Sequence, residues 1–158
     1  MRRLVLSMTL IVSACAATHR EPAIRGMPID DPEASLSALW VGHATVLLRL
    51  GRRFVLTDPN LGGAIVIVPR VTPASLTPRQ LPAIDVALVS HLHVDHFDTW
   101  TVRRISHRAE VIYPAGGESY MESVEQRAEP LEPWKTVERA GLRITAVPVR
   151  HSGGRYFF

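Results

Sequence analysis

Three histidines and two carboxylates fall within nine residues, Ser90-His91-Leu92-His93-Val94-Asp95-His96-Phe97-Asp98, directly after the apolar run Val86-Ala87-Leu88-Val89. No other feature constrains this chain as strongly. The run reads as a buried strand and the polar stretch as the loop it delivers. Imidazole nitrogen and carboxylate oxygen are the usual ligands of catalytic zinc and of related divalent metals. On a short loop after a strand, alternate side chains can turn to one point. His91 and His93 can therefore share one metal, and Asp95 and His96 face a second position beside it. A solvated loop with chance histidines is the weaker explanation, because three of the chain's seven histidines sit in six consecutive positions. A purely structural zinc site is also disfavoured, since such sites close with four ligands and favour cysteine.

A chain of 158 residues suits one modest domain with a core of its own. The formal charge of +3 gives little indication of an acidic partner. Removing Arg2 and Arg3 with the leader described next leaves 16 basic against 15 acidic side chains, a net +1. Basic residues are scattered and lack interleaved aromatics, which argues against nucleic-acid binding.

Residues 1–15 read as an export signal. Arg2 and Arg3 form a basic head, Leu4 to Ala14 a short apolar segment, and Val12-Ser13-Ala14-Cys15 a small-residue end. The apolar run is too short to span a bilayer. Residues 16–35 are polar, carry Pro22, Pro28 and Pro32, and read as a flexible tether. The domain is expected over 36–158. Ala38–Val41, Thr45–Leu50 and Phe54–Thr57 are strand-like, with a hairpin turn at Gly51-Arg52-Arg53. Pro59 ends the third strand and leaves Asp58 where its carboxylate could brace a neighbouring loop. Ile65–Val68 reads either as a short strand or as an exposed apolar lip. A helix is expected over 98–105 with Asp98 as N-cap, a strand over 110–113, a second helix from Gly116 to about Gln126, and a closing hairpin that turns at Ala140-Gly141. Strand and helix alternate, which places the chain in the α/β class.

Two resemblances follow from these residues. Val12-Ser13-Ala14-Cys15 resembles the lipobox of bacterial lipoproteins, which implies a lipidated Cys15 and attachment to a membrane of the cell envelope. Cys15 is the chain's sole cysteine, so disulfides play no part. His91-x-His93-x-Asp95-His96, with Thr57-Asp58-Pro59 upstream, resembles the metallo-β-lactamase superfamily. Trp40-Val41-Gly42-His43-Ala44-Thr45 and the spacing of His151 and Arg155 resemble, within it, the branch of N-acyl phosphatidylethanolamine phospholipase D and L-ascorbate-6-phosphate lactonase-like proteins. This similarity runs from about Leu39 to Arg155.

The resemblance implies an αββα sandwich, of which this chain would hold the N-terminal half. It implies that His91, His93 and His151 ligate a first metal and that Asp95 and His96 ligate a second. Asp58 would support the ligands by hydrogen bonding, and His43 and Arg155 would assist at the substrate. One or two zinc ions are expected, with manganese and iron also suited to these donors. The implied reaction is hydrolysis of a phosphodiester, lactone or other ester, on a small-molecule or lipid substrate, by a water activated at the metals. Two features depart from the branch pattern. The serine between His151 and Arg155 is shifted by one position, and family members continue past Phe158 with further metal ligands. The alternative expectation is therefore a lipid-anchored, metal-binding remnant without enzymatic activity.

Overall fold

The computed structural model describes residues 29, 31, 33–105, 107, 109–122, 124 and 127–150. Cys15, His151 and Arg155 lie outside them. A hydrophobic meander opens the fold. β1 (Leu36–Gly42), β2 (Thr45–Leu50) and β3 (Arg53–Thr57) pair antiparallel through two tight turns. After β3 come a small hairpin of β4 (Ala64–Ile65) and β5 (Val68–Pro69), a single 3-10 turn at Pro78–Gln80, and β6 (Val86–Leu88). α1 (Thr99–Val102), β7 (Glu110–Pro114), α2 (Glu118–Met121) and β8 (Arg127–Leu131) follow, and the hairpin of β9 (Thr136–Arg139) and β10 (Leu142–Thr145) ends the described residues.

The main sheet has six strands in the order β1-β2-β3-β6-β7-β8. From β3 onward every pairing is parallel. Parallel neighbours need crossover connections, and α1 and α2 lie in two of them. Both faces of this half of the sheet are covered, so its strands read as continuous apolar runs and adjacent residues enter opposite cores. Leu56, Ala87 and Val111 pack with Phe97, Val102, Ile105 and Met121 on the helix side. Val55, Val86 and Ile112 pack with Val137, Leu142 and Ile144 of the β9–β10 hairpin on the other. Arg139 fastens that hairpin to the sheet through Glu110, at 2.9 Å, and Glu129. The described residues thus stack a helix layer, a mixed sheet and a two-stranded sheet, which are successive layers of the expected α/β sandwich.

Several elements differ from the sequence reading. α1 and α2 span four residues each, shorter than expected. Asp98 does cap α1, accepting from the Trp100 and Thr101 amides. β8 was not anticipated: Arg127, Glu129 and Pro130 are poor strand formers, tolerated because β8 is an edge strand with one paired side. α2 ends at Met121, and Gln126, where the helix was expected to end, lies outside the described residues. Ile65–Val68 combines both readings, since two short strands frame a tip where Val66 and Ile67 are exposed. Ile29, in the stretch read as a tether, is buried in the helix-side core, and Arg49 holds the Ile29 and Asp31 carbonyls.

The β1–β2 turn depends on a glycine. Gly42 adopts φ +142° and His43 φ +54° in succession. A Cβ on residue 42 would lie 3.3 Å from the Arg70 guanidinium. Gly42→Ala is expected to cost about 1–3 kcal/mol, the scale of a residue forced into a glycine conformation. Urea unfolding monitored by circular dichroism reads this out, and a change under about 0.5 kcal/mol, the ordinary range of a surface substitution, would show the turn to be unstrained.

Candidate metal centre

The parallel register fixes where the site forms. Thr57 pairs with Leu88, so the chain leaves β3 and β6 at the same sheet edge. Asp58 and Ser90 emerge there side by side. β2 runs antiparallel to β3, with Val46 opposite Thr57, which brings the β1–β2 turn and His43 to that edge as well. Asp58 is buried and adopts φ +38°, unusual for a residue with a side chain. Its amide donates to the Leu88 carbonyl at 2.7 Å and its carbonyl accepts from the Thr45 hydroxyl at 2.6 Å. These bonds hold the backbone in a conformation that turns the carboxylate beneath the histidine loop.

That carboxylate takes three hydrogen bonds. Oδ1 accepts from the Ser90 amide at 2.7 Å, and Oδ2 accepts from the Ser90 hydroxyl at 2.8 Å and from His96 Nδ1 at 2.8 Å. Two tautomers follow. His96 must carry its proton on Nδ1 to donate to Asp58, which leaves Nε2 as the ligand atom when the ring is neutral. The Ser90 hydroxyl spends its single proton on Asp58, so toward His91 Nδ1, 3.0 Å away, it can only accept. His91 therefore holds its proton on Nδ1 and presents Nε2. One carboxylate orients two imidazoles, a known way of setting ligand geometry.

The candidate donor atoms gather in two adjacent sets. His91 Nε2 lies 3.1 Å from His93 Nδ1. His96 Nε2 lies 3.5 Å from Asp95 Oδ2, which is 3.0 Å from His43 Nε2. The donor atoms of His43, Asp95 and His96 all fall within 4.8 Å of one another. The His91 and His96 rings, 4.0 Å apart between centroids, join the two sets. Ligands about 2.0–2.1 Å from a tetrahedral zinc stand about 3.3 Å apart, so these spacings suit a divalent metal. Burial pushes the Asp95 carboxyl up, but its own backbone hydrogen bond, His96 and His43 outweigh burial and hold it below the usual carboxylate value. It is ionised and ready to ligate at neutral pH.

Two residues escaped the sequence reading. Asn60 is buried and donates to the Asp95 carbonyl at 3.0 Å and the Val94 carbonyl at 3.4 Å. Buried Arg70 donates to the Asn60 carbonyl at 2.8 Å. Together they brace the back of the histidine loop. One signal existed: Arg70 is the only charged residue between Asn60 and Pro78, in a stretch otherwise apolar or small. A lone charge in such surroundings needs an internal partner.

Beside His91 and His93 opens a cleft of ≈ 840 Å³. Asp58, Ser90, His91 and His93 line one part of it, and Leu92, Tyr113, Leu131, Ile144 and Val147 give it apolar walls. The sheet edge thus presents a polar, ligand-rich end and an apolar extension.

Comparison with known proteins agrees with this geometry. The profile of the beta-lactamase superfamily domain matches residues 53–157, well over half the chain. The chain belongs to the beta-lactamase superfamily. It is 32% identical over 131 residues to the uncharacterized protein Rv0906 of Mycobacterium tuberculosis, covering 77% of this chain and 35% of that relative. It is 41% identical over 80 residues to the N-acyl-phosphatidylethanolamine-hydrolyzing phospholipase D 1 of Caenorhabditis elegans, covering 47% of this chain and 22% of that one. Among solved structures it resembles CmlA, a diiron beta-hydroxylase from Streptomyces venezuelae, with a TM-score of 0.56 and 26% identity over 72% of this chain and 24% of that one. The fold is the metallo-β-lactamase-like sandwich expected from the motif. The chain spans about a third of the length of the mycobacterial relative it matches.

Asp58→Asn replaces an acceptor with an amide that cannot receive the His96 and Ser90 protons together. Metal affinity, measured by chelator competition, is expected to fall about 10–100-fold, the usual cost of losing such a partner. A change under twofold would show that Asp58 does not orient the ligands.

Proposed function

We propose that this chain is the metal-binding part of a metal-dependent hydrolase that cleaves a phosphodiester or other ester bearing an apolar group. Two adjacent donor sets beside an apolar cleft carry this reading. In it, His91 and His93, together with His151, hold one metal, and Asp95 and His96 hold a second. The pair of metals would supply an activated water at neutral pH and stabilise charge developing on the substrate oxygens. Zinc suits the nitrogen-rich donors best, and manganese and iron compete for the same set. Asp58 and Ser90 keep the imidazoles in the ligating tautomer, and Arg155 meets negative charge on the substrate.

The apolar walls favour a lipid-like substrate over a small polar ester. Similarity to a phospholipase D that hydrolyses N-acyl phosphatidylethanolamine supports the same choice. So does the β4–β5 tip, where Val66, Ile67 and Val68 are exposed, Ile67 by 87%. No helix among the described residues is long and apolar enough to cross a membrane. Attachment to the cell envelope would come through a lipid on Cys15, which the basic head, apolar segment and Val12-Ser13-Ala14-Cys15 support.

Hydrolysis of bis(p-nitrophenyl) phosphate and p-nitrophenyl butyrate by the zinc-loaded chain tests the chemistry. Turnover is expected on the phosphodiester, with a loss of at least about 100-fold in His91→Ala. Equal rates from parent and variant would sink the enzyme reading and favour the metal-binding remnant. Separately, Cys15→Ser is expected to move the protein from the membrane pellet to the soluble fraction of a bacterial host. Retention in the pellet would refute anchoring at Cys15.

A further inference from the structure

We infer that His43 is itself a ligand of the second metal position, so that the β1–β2 turn, Asp95 and His96 together supply three protein ligands to it. This rests on the metal-centre reading above and assigns His43 a role beyond contact with substrate. The first reason is electrostatic. His96 Nδ1 donates to Asp58 at 2.8 Å, which directs Nε2 toward Asp95 Oδ2 at 3.5 Å. A metal ion seated between these two atoms would be bound by both. A proton on His43 Nε2 would serve the Asp95 oxygen, 3.0 Å away, but would not engage His96 Nε2. A metal ion between the three atoms serves all of them.

The second reason is spacing. The donor atoms of His43, Asp95 and His96 lie within 4.8 Å of one another, and the two shorter separations, 3.0 and 3.5 Å, bracket the roughly 3.3 Å between ligands of a tetrahedral zinc. The third is the backbone that delivers the ring. His43 at φ +54° follows Gly42 at φ +142°, and the Trp40 indole N–H donates to the His43 carbonyl at 2.8 Å, pinning the turn. The His43 side chain is 40% exposed. A half-exposed histidine–carboxylate bond contributes little by itself, and the pinned turn holds the His43 ring where a third ligand would stand.

The experiment uses the full chain labelled with [15N]histidine and loaded with 113Cd2+, in which only metal-bonded nitrogens show one-bond coupling to cadmium. The expected result is cadmium coupling at His43 Nε2 as well as at His96 Nε2. His43→Asn, which tolerates the left-handed backbone and can still hydrogen-bond, should lose one coupled nitrogen and keep the others. An unchanged set of coupled nitrogens in His43→Asn would overturn the inference and make His43 a hydrogen-bond partner of Asp95. If that variant fails to fold, the parent sample decides, since the His43 ring is assigned through its contact with the His96 ring 5.0 Å away. An uncoupled His43 beside a coupled His96 overturns the inference alone. A parent chain with no cadmium-coupled histidine overturns the metal-centre reading as well.

Discussion

The Asp58 carboxylate is the constraint on which the site depends. It is buried, ionisable and held by a left-handed backbone, three features that each cost stability in isolation. They persist because every polar atom around it is engaged. Its carbonyl takes the Thr45 hydroxyl, its amide reaches across to β6, and its two oxygens take the Ser90 amide, the Ser90 hydroxyl and His96. The histidine loop gains its geometry from this one side chain. His96 is oriented directly and His91 through Ser90, so a single carboxylate sets both tautomers.

The sheet explains why such a carboxylate can exist at that point. Parallel pairing of β3, β6 and β7 sends their C-terminal ends to a common edge, and two covered faces keep the strands rigid. Loops leaving that edge are short of space and must satisfy their backbone groups locally. Asn60 does this for Val94 and Asp95, and Arg70 does it for Asn60. The site therefore rests on a chain of support that runs from a buried guanidinium, through an amide, to the back of the histidine loop. The apolar cleft beside His91 and His93 arises from the same layering, where the β9–β10 hairpin stands over the ends of β6 and β7.

Much of this was legible in the sequence where a pattern is local. The meander β1–β3, the strand before the histidines, the Asp98 cap and the Ala140-Gly141 turn each follow from residue types within a few positions. His91, His93, Asp95 and His96 stood out through spacing alone, and Asp58 through the proline that ends its strand. β8 was hidden because Arg127, Glu129 and Pro130 take a strand conformation only when β7 offers an edge. Asn60 and Arg70 were hidden because their partners lie on other loops. The burial of Ile29 was hidden for the same reason, since nothing near it in the chain marks a core position.

The sequence by itself determined the family and a set of candidate metal-ligating side chains, because these depend on residue identity and short-range spacing. It also determined the alternation of strand and helix, because hydrophobic period acts within a single element. Only the tertiary structure decided how the candidate ligands are grouped. It placed His43, from a turn 52 residues before Asp95, within hydrogen-bonding distance of that carboxylate. It fixed the protonated nitrogen of His91 and His96, because a tautomer is chosen by a neighbour in space and not by one in sequence. The motif that constrains the chain names four candidate ligands on one loop, and the fold gathers a fifth side chain and an orienting carboxylate around them.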